Sequence, residues 1–347
     1  MARLPKVYIL ILNYNGWLDT IECLESVFRN NYPNFQVVVC DNCSSNNSYE
    51  YIKTWAEGKL DVMVPQSNPL LCYSFPPIPK PIPYIEYERV NAEAGGTGND
   101  NDVPLVLIQT GANLGFAGGN NVGLRYILGK ENFDYVWLLN NDTVIEPDSL
   151  TQLVNRVQQE QQSVGICGST LRYYNKPEVV QALGGARYNK WLGVIRPIGM
   201  FQAAVQPIDF AKVERMMSYV LGASMFVSRE FLLNIGLMSE VYFLYFEELD
   251  WAMEAQGQYK LIYASKSIIY HKEGSSIGSS SKPREKSLIS DYYSIRNKFV
   301  FTRKFFPYAL PTIYLGLLIV VINRIRRRQW ERLILIKNIL TGEKLHY

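Results

Sequence analysis

Short apolar runs alternate with helical patterns along the first half of the chain. Five runs of four to six mostly apolar residues cover positions 7–12, 36–40, 104–108, 135–139 and 164–167. Residues that recur at helical spacing lie around 21–28, over 118–128 and after 147. Nearly continuous apolar strands are typical of a sheet covered on both faces, and the helical stretches supply the crossovers. The pattern therefore predicts an α/β fold with a parallel sheet flanked by helices.

The second half predicts further strands, one short helix and a small-residue loop. In order, these are a strand at 219–227, a helix from 229, an aromatic stretch that leads into 247–251, and strands at 260–263 and 267–270. His271 ends the last strand. The loop at 275–281 could close over a bound ligand.

Residues 65–103 interrupt this order. Five prolines lie between positions 76 and 83, and a run of Gly, Asn and Asp follows at 95–102. This composition is typical of connecting segments, so the sequence predicts an inserted, partly flexible surface loop. A proline-rich docking site for a partner is the alternative.

The C-terminal region combines an apolar stretch with a basic cluster. Residues 305–322 carry no charge but contain Pro307 and Pro311, and four arginines lie within the next six residues. Such a stretch is at the lower limit for a membrane span, whereas an apolar helix beside arginines suits the surface of an anionic bilayer. We therefore expect a catalytic domain at 1–300 and membrane-associating helices at 301–347. A buried packing helix or a dimer helix is the alternative.

Composition narrows the class of partners. The 347 residues carry 35 basic and 32 acidic side chains, a net charge of only +3, so no nucleic-acid surface is expected. The five cysteines are odd in number, and the N-terminal residues lack the apolar core of a secretory signal, which predicts a reducing, cytosolic setting. Cys40 and Cys43 form a C-x-x-C motif. This motif predicts either a zinc or redox site or, as the alternative, two buried thiols at a strand end.

Asp142 follows an apolar strand at the position where such sheets bind ligands. Asn140 and Asn141 separate it from the strand at 135–139. A carboxylate there could hold Mn2+ or Mg2+, which would stabilise the charge on a leaving diphosphate. His271 could complete the site, and imidazole suits Mn2+ better than Mg2+.

Polar residues at other strand ends could bind a nucleotide. Asp41 could accept the N3 hydrogen of uracil or thymine, and Asn13 and Asn15 end the first strand, although such residues also occupy structural turns. The glycine-rich segment 111–123 lacks the G-x-G-x-x-G order, so a dinucleotide fold is disfavoured. Its glycines and asparagines could still contact a ribose or phosphate, against the alternative of a plain turn into a helix.

Three carboxylates, Glu247, Glu248 and Asp250, stand at a predicted helix start. Acids stabilise helix N-termini, but the aromatic neighbours would exclude water and raise at least one pKa toward the range of a general base. On a helix, residues 247 and 250 share a face while residue 248 points about 100° away, so the acids need not do one job.

Together these segments resemble the family 2 inverting glycosyltransferases, in particular their bacterial rhamnosyltransferase-like branch. The matching positions, in order over roughly residues 6–300, are 11–16, 41–42, 113–120, 139–143, 222–223, 246–251 and His271. The resemblance implies the GT-A fold, a Rossmann-like mixed sheet flanked by helices. It also implies a nucleotide-sugar donor and a metal-dependent direct displacement that inverts the anomeric carbon.

The resemblance also implies residue roles. The catalytic positions would be Glu248 as the base, with Glu247 and Asp250, and the metal ligands would be Asp142 and His271. The donor nucleotide would contact Asn13, Tyr14, Asn15, Asp41, Asn42, Asn113, Gly115, Asn120 and Asn141. Three positions depart from the family: Asn140 replaces the first acid of the D-x-D element, Glu248 replaces the usual Asp, and Glu254 stands where relatives often carry Arg.

The leading hypothesis is a glycosyltransferase for cell-surface glycans. Its donor would be dTDP-L-rhamnose, or otherwise a UDP-sugar, and its acceptor a saccharide or lipid-linked saccharide at the cytoplasmic face of the membrane, which residues 305–328 would contact. A homo-oligomer is also compatible with the sequence. A nucleotidyltransferase would need a basic glycine-rich loop after the first strand, and residues 13–17 contain no Lys or Arg. A catalytically silent glycan-binding or scaffold paralogue is the other alternative, because of Asn140.

Overall fold

A mixed sheet of ten strands forms the centre of the structure, a computed structural model that describes residues 3–98, 103–272 and 287–342. In these ranges the strands are β1 Val7–Asn13, β2 Phe35–Asp41, β3 Tyr84–Glu88, β4 Leu105–Gln109, β5 Tyr135–Asn140, β6 Thr143–Ile145, β7 Val164–Tyr173, β8 Lys176–Leu183, β9 Gly185–Asn189, β10 Val194–Pro197, β11 Tyr219–Val220, β12 Ser224–Ser228 and β13 Lys260–His271. The helices are α1 Trp17–Val27, α2 Ser48–Ala56, α3 Arg89–Glu93, α4 Gly115–Leu128, α5 Ser149–Gln158, α6 Phe210–Met216, α7 Arg229–Ile235, α8 Glu247–Glu254, α9 Leu288–Phe305, α10 Leu310–Arg326 and α11 Trp330–Thr341, with 3-10 turns at Leu71–Tyr73 and Pro307–Ala309. The order across the sheet is β3-β4-β2-β1-β5-β12-β7-β13-β6, and β8 pairs with β7.

The predicted apolar runs form the middle of this sheet and are buried on both faces. β1 pairs in parallel with β2 and β5. Its residues Val7, Ile9 and Ile11 pack under α1, α2 and α5, whereas Tyr8 and Leu10 pack under α4, α7 and α8. Burying one Ile or Leu side chain stabilises a fold by about 1.5–3 kcal/mol, so alternate residues of one strand hold helices to both faces. The predicted α/β architecture is confirmed.

The carboxyl ends of β1, β2 and β5 lie side by side. The register pairs Asn13 with Asp41, and Asn140 ends β5 on the other side of β1. β12 runs antiparallel to β5 with Ser224 opposite Leu139, so the residues just before β12 lie beside the end of β5. Ligands bind in the crevice beyond such strand ends, which makes this edge the place to seek a site.

Residues 65–98 differ from the expected surface loop. β3 lies within this segment, pairs in parallel with β4 and forms an edge of the sheet. The proline-rich part is held by the buried carboxylate of Glu25 in α1, which accepts hydrogen bonds from the Ile78 N–H at 2.9 Å and from Lys80 Nζ at 2.7 Å. The sequence pattern missed this packing because one buried acid, rather than an apolar stripe, ties the prolines to the core.

The second half of the chain also differs from expectation. The strand predicted in two pieces at 260–270 is the single strand β13, with an irregularity between Ala264 and Ile268. A separate three-stranded sheet in the order β10-β9-β11, which the pattern did not predict, lies between β8 and β12 in the chain. The predicted loop at 275–281 lies outside the described residues.

The apolar C-terminal stretch is broken at Phe306, where α9 ends and the turn Pro307–Ala309 leads into α10. Ile313 and Leu317 of α10 pack against side chains of α9 and α11. Within the described residues, one helical stretch, Pro307–Arg326, is long and apolar enough to cross a membrane, and 17% of its apolar window is buried. Length and composition alone give only weak support for membrane association.

Candidate active site

Asp142 and His271 lie against each other at the edge of the sheet. β6 begins directly after Asp142 and pairs with β13 in antiparallel register, which places His271 opposite Thr143. The distance from His271 Nε2 to Asp142 Oδ1 is 3.1 Å, and the Lys272 N–H donates to the Asp142 carbonyl at 3.0 Å. The sheet thus brings together two residues that the sequence placed at separate strand ends.

Gln181 orients the imidazole. Its Oε1 accepts a hydrogen bond from His271 Nδ1 at 2.9 Å, which leaves Nε2 facing Asp142. The Nε2 atom and the carboxylate oxygen lie within hydrogen-bonding distance, and a nitrogen and an oxygen held this close could bind a cation in place of the Nε2 proton. Burial alone would raise the pKa of Asp142, but the charge and the hydrogen bond of the His271 ring, followed by a backbone hydrogen bond and the charge of Lys272, outweigh burial and hold this pKa below its usual value.

The spacing of this pair fits two ligands of one octahedral ion. Ligand atoms about 2.1 Å from the ion on adjacent octahedral corners are about 3.0 Å apart, close to the observed 3.1 Å between the nitrogen and the oxygen. The mixed donor set favours Mn2+ over Mg2+. In the described part of the chain no group of three or more His, Cys, Asp or Glu side chains could hold a metal.

A buried cluster of ion pairs lies beside these two residues. Lys272 Nζ contacts Asp19 Oδ1 and Glu22 Oε2, both at 2.6 Å, and lies 4.8 Å from the centre of the Tyr174 ring. The Tyr174 hydroxyl donates to the other oxygen of Glu22 at 2.6 Å. These contacts tie the end of β13 to α1. Sequence reasoning missed them because Asp19 and Glu22 look like ordinary polar positions of an amphipathic helix.

The carboxylate of Asp41 is buried among polar groups at the end of β2. Its Oδ1 accepts from Asn13 Nδ2 and Ser44 Oγ, each at 2.6 Å, and its Oδ2 accepts from the Ser44 N–H at 2.9 Å. Asn13 Oδ1 accepts from the Thr20 hydroxyl at 2.9 Å, and Asn141 Nδ2 donates to the same hydroxyl at 3.0 Å. The network connects the expected base-binding residue with the tip of β5.

The loop after β1 is held by the loop after β2. Asn15 has a φ of +54°, and its Oδ1 accepts from the Ser45 N–H at 2.8 Å. Its own N–H donates to Ser44 Oγ at 2.8 Å, and the neighbouring Tyr14 is half-buried. Asn tolerates this left-handed backbone better than most residues do, so the loop keeps one shape at the strand ends.

Asn42 binds the glycine-rich segment to the end of β2. Its Nδ2 donates to Asn113 Oδ1 at 3.0 Å and to the Gly115 carbonyl at 3.1 Å. Asn120 Nδ2 donates to the Phe116 carbonyl at 2.9 Å within α4. Both Asn42 and Asn120 are buried, so their amides serve contacts inside the protein, whereas Asn113 is exposed at the start of this segment.

The C-x-x-C at the same strand end divides between core and surface. Cys40 is buried, and burial raises the pKa of its thiol well above the usual value, whereas Cys43 is exposed. Both are free thiols. The sequence alternative of two buried thiols therefore holds for Cys40 alone.

The loop before α8 is strained and held from two sides. Three non-glycine residues between 243 and 246 have φ values from +62° to +78°. Each such residue costs about 1–3 kcal/mol and persists only where its surroundings impose it. The fully buried Asn297 of α9 donates its amide to three carbonyls of this loop at 2.7–3.0 Å, and the Phe116 N–H donates to the Phe243 carbonyl at 2.7 Å. These contacts set the position of the acids that follow.

The three acids at the start of α8 have different surroundings. Glu247 and Asp250 are buried, at 1% and 2% exposure, whereas Glu248 is half-buried. Asp250 accepts from the Tyr242 hydroxyl at 2.7 Å and pairs with Lys304 at 2.8 Å, which ties it to α9. Burial, and then the charge of Glu248, raise the pKa of Glu247 well above its usual value. Within the described residues its Oε2 has no hydrogen-bond partner, as suits a protonated acid.

The Glu248 carboxylate lies beside Gly222. Burial raises its pKa to about 7, although hydrogen bonds with the backbone of Glu248 and Gly222 oppose the rise. A Cβ built on Gly222 would lie 2.3 Å from Glu248 Oε1, so the missing side chain at 222 makes room for the carboxylate. An acid with a pKa near the working pH can take a proton from a hydroxyl and release it afterwards.

Gly222 and Ala223 connect this acid to the tip of β5. The Ala223 carbonyl accepts from the Asn140 N–H at 3.1 Å. A Cβ on Gly222 would also lie 3.2 Å from Phe116 Cζ in α4. Glu248 therefore lies beside the segment before β12, and that segment binds the end of β5, the strand that leads to Asp142.

Comparison with known sequences decides the family. The profile described as Glycosyl transferase family 2 matches residues 8–68, and the one described as Glycosyltransferase like family 2 matches residues 93–286, more than half of the chain. The chain belongs to glycosyltransferase family 2. The matched ranges contain Asp41, Asp142, Glu248 and His271.

This family 2 chain has a curated relative in Haloferax volcanii, the low-salt glycan biosynthesis hexosyltransferase Agl10. The two are 24% identical over 222 residues, which cover 62% of this chain and 66% of the relative. The chain thus spans just under two thirds of the length of that relative.

Two solved glycosyltransferase structures share the architecture. Mannosyltransferase PcManGT from Pyrobaculum calidifontis, in complex with GDP-Man and Mn2+, superposes with a TM-score of 0.50 at 15% identity, covering 99% of this chain and 84% of its own. GalNAc-T7, with UDP, GalNAc and Mn2+, superposes with a TM-score of 0.53 at 12% identity, covering 85% of this chain and 48% of its own. At these identities the likeness shows the fold alone. It confirms the predicted GT-A fold for this family 2 glycosyltransferase.

Proposed function

We propose that this protein is a metal-dependent inverting hexosyltransferase. It moves a sugar from a nucleotide-diphosphate donor to a hydroxyl group of a saccharide or lipid-linked saccharide acceptor. The observation that carries the proposal is the half-buried Glu248, with a pKa of about 7, held against Gly222 at the sheet edge that also carries Asp142 and His271. Direct displacement needs a base for the nucleophile and positive charge at the leaving group, and this edge of the sheet offers residues for both.

Each acid has its own part in the proposed reaction. Glu248 takes the proton of the acceptor hydroxyl as its oxygen bonds to the anomeric carbon, while the bond from that carbon to the diphosphate breaks on the opposite face. A single displacement inverts the carbon. Asp142 and His271 would hold Mn2+ or Mg2+, which would supply positive charge for the departing diphosphate. Glu247 stays protonated and adds no second negative charge beside the base, and Asp250 fixes α8 through its pair with Lys304.

The nucleotide is proposed to bind at the ends of β1 and β2. Asp41 Oδ2 accepts one hydrogen bond from the protein, and a carboxylate oxygen can accept two, so it retains capacity for an N–H of a base. Tyr14 and Asn15 flank this position in a loop of fixed shape. Uracil, thymine and guanine all present a suitable N–H, so this carboxylate alone does not choose the donor. On the sequence resemblance we favour dTDP-L-rhamnose, followed by a UDP-sugar.

The remaining polar residues of the proposed nucleotide site divide into two groups. Asn113 and Gly115, at the start of α4, are placed to contact the donor. Asn42, Asn120 and Asn141 donate their amides to protein groups, so we assign them to shaping the loops around the donor. The metal assignment is supported in general terms by the two solved relatives, whose complexes contain Mn2+.

A membrane location is part of the proposal. The apolar helix α10 and the arginines after it suit contact through residues 305–328 with the cytoplasmic face of an anionic membrane, where a lipid-linked acceptor would be at hand.

Donor binding and transfer test the function separately. Thermal unfolding is measured with dTDP, UDP and GDP, each with and without Mn2+, because a ligand at a hundred times its Kd stabilises the folded state by about 2.7 kcal/mol. Glu248→Gln should abolish transfer but keep the nucleotide-dependent stabilisation, and the exposed Glu230→Gln on α7 serves as the control. Undiminished transfer by Glu248→Gln would reject the base. A folded wild-type protein that neither binds nor hydrolyses any donor would instead favour a silent glycan-binding or scaffold paralogue.

A further inference from the structure

The turn between β9 and β10 exposes apolar side chains that the proposed reaction does not use. Trp191, Leu192 and Val194 are 48%, 59% and 38% exposed. We call residues 190–194 the hairpin tip. Clustered large apolar side chains at a surface mark contact with another molecule or with a membrane.

The hairpin tip is fixed to the start of α10. The Thr312 hydroxyl donates to the Trp191 carbonyl at 2.5 Å, and the Trp191 and Tyr308 rings are 5.5 Å apart. Gly193 packs without space for a side chain, since a Cβ there would lie 2.5 Å from a lysine of α9 and 3.0 Å from Ile313 of α10. Hairpin tip and helix therefore present one continuous surface.

The outward side of α10 extends this apolar surface. Its side chains at helical spacing are 47–60% exposed: Leu315, Leu318, Ile319, Ile322 and Ile325. The opposite side is occupied, because Ile313 and Leu317 are buried against α9, the helix whose Asn297 holds the loop before the catalytic acids. A helix that crosses a bilayer alone would meet lipid all round. This arrangement favours a helix that lies along a bilayer.

Basic residues outnumber acids around the surface. The hairpin residues 185–197 contain two arginines and a lysine but no acid, and residues 303–337 contain eight Lys or Arg and a single acid. Of these eight, Lys304, Arg324 and Arg332 pair with Asp250 or Asp291, which leaves five. The ammonium of Lys190 lies 5.4–5.8 Å from the ring centres of Trp191, Phe306 and Tyr308. Aromatic rings with lysine and arginine are enriched at the boundary between headgroups and acyl chains, and the positive charge complements anionic lipids.

We propose that the hairpin tip is a second bilayer contact of this protein. The inference rests on the proposed membrane location and deepens it: Trp191 and Leu192 enter the headgroup region of an anionic leaflet beside the outward side of α10, and α10 lies in that leaflet without crossing it. A single helix leaves the domain able to rotate about the helix axis. A second contact, fixed to the first, removes this rotation and keeps the proposed catalytic edge of the sheet in one orientation toward a membrane-bound acceptor.

Vesicle flotation of the full chain tests the contact. Vesicles of phosphatidylcholine are compared with vesicles of equal parts phosphatidylcholine and phosphatidylglycerol, and the wild type should float with the anionic ones. The double variant Trp191→Ser with Leu192→Ser should bind them about tenfold more weakly, since each side chain loses apolar burial. The control is Val205→Ser with Leu233→Ser, which removes two exposed apolar side chains elsewhere and should bind like the wild type.

The outcomes separate this inference from the function. Equal binding by the tip variant and the wild type would overturn the hairpin contact. If the wild type binds neither kind of vesicle, both the hairpin contact and the membrane location are wrong. If nucleotides still stabilise that protein against thermal unfolding, the transferase assignment is unaffected. The tip variant should keep that stabilisation, because the hairpin takes no part in donor binding.

The depth of each contact tests the orientation of α10. Leu192→Cys and Leu318→Cys are made singly in a chain whose exposed Cys43 and Cys72 are replaced by Ser, and each is labelled with an environment-sensitive fluorophore. Both labels should shift to shorter wavelength on anionic vesicles and be quenched most by quenchers near the headgroups. Strongest quenching of position 318 by quenchers at the bilayer centre would show a spanning helix and overturn the flat orientation.

Discussion

Gly222→Ala should inactivate the enzyme without unfolding it. The added methyl group would stand 2.3 Å from Glu248 Oε1, whereas carbon and oxygen atoms in contact are about 3.3 Å apart, so the carboxylate must move by about 1 Å. The φ of Gly222 lies outside the left-handed region, so alanine adopts the backbone without strain there. Because the displaced atom is the end of a flexible side chain, we expect the free energy of unfolding to change by less than about 1 kcal/mol.

The expected loss of rate follows from this displacement. A shift of about 1 Å in a catalytic group costs about a hundredfold in rate, or about 2.7 kcal/mol of activation free energy. The loss should fall on kcat, with an unchanged KM for the donor, since Glu248 meets the acceptor. The methyl group also adds burial and weakens the contact of Glu248 with the Gly222 backbone, so the pH of half-maximal activity should rise above the wild-type value of about 7.

Steady-state transfer rates across neutral pH measure both effects. Gly316→Ala on α10, where a Cβ meets open space, is the matched control and should behave like the wild type. Adding Glu248→Asp to Gly222→Ala shortens the acid by one methylene and should restore part of the rate. Wild-type kcat in the folded Gly222→Ala variant would refute Glu248 as the base at this place. A loss that the double variant does not relieve would point instead to the contact of the new methyl group with Phe116.

Three further outcomes follow from the site. Wild-type transfer should rise with pH through about 7, because Glu248 accepts a proton only when it is ionised; a flat profile over this range would contradict its role. Asp142→Asn and His271→Gln should each remove the Mn2+-dependent part of nucleotide stabilisation in thermal unfolding, and a shift that survives both changes would place the ion elsewhere. Lys304→Met leaves a buried acid of α8 without its ion pair and should lower the free energy of unfolding in urea by about 1–3 kcal/mol. The exposed Lys59→Met should cost less than about 1 kcal/mol, and equal losses would argue against burial as the cause.

The centre of the sheet could be predicted because its signal is local. Each of β1, β2 and β5 is a nearly continuous apolar run, and the polar residue that ends the run marks the edge where ligands bind. The segment 65–98 and the three-stranded sheet of β9, β10 and β11 lack such runs. They are held by contacts between distant residues, such as those of Glu25 with Ile78 and Lys80 in the proline-rich part, and the chain pattern carries no sign of these.

Part of the candidate site could also be predicted, because some of its residues lie at strand ends that the sequence shows. Asp142 lies just beyond the end of β5 and His271 ends β13, which the sequence shows, but the pairing of β6 with β13 sets their 3.1 Å separation. Gln181, which orients the imidazole, and Asn297, which holds the loop before α8, carry no motif of their own. They matter only because the fold brings them to a ring nitrogen and to three carbonyl groups.

The sequence by itself determined which chemical groups stand at the strand ends, because apolar runs and the polar residues that stop them are written in neighbouring positions. The resemblance assigned the base role to Glu248, and only the tertiary structure showed how the surroundings of the three acids differ. Glu247, Glu248 and Asp250 are alike in kind, and what separates them is burial, the space left by Gly222 and the charge of Lys304. A pKa depends on the solvent and charges around a group, and long-range packing alone supplies these surroundings.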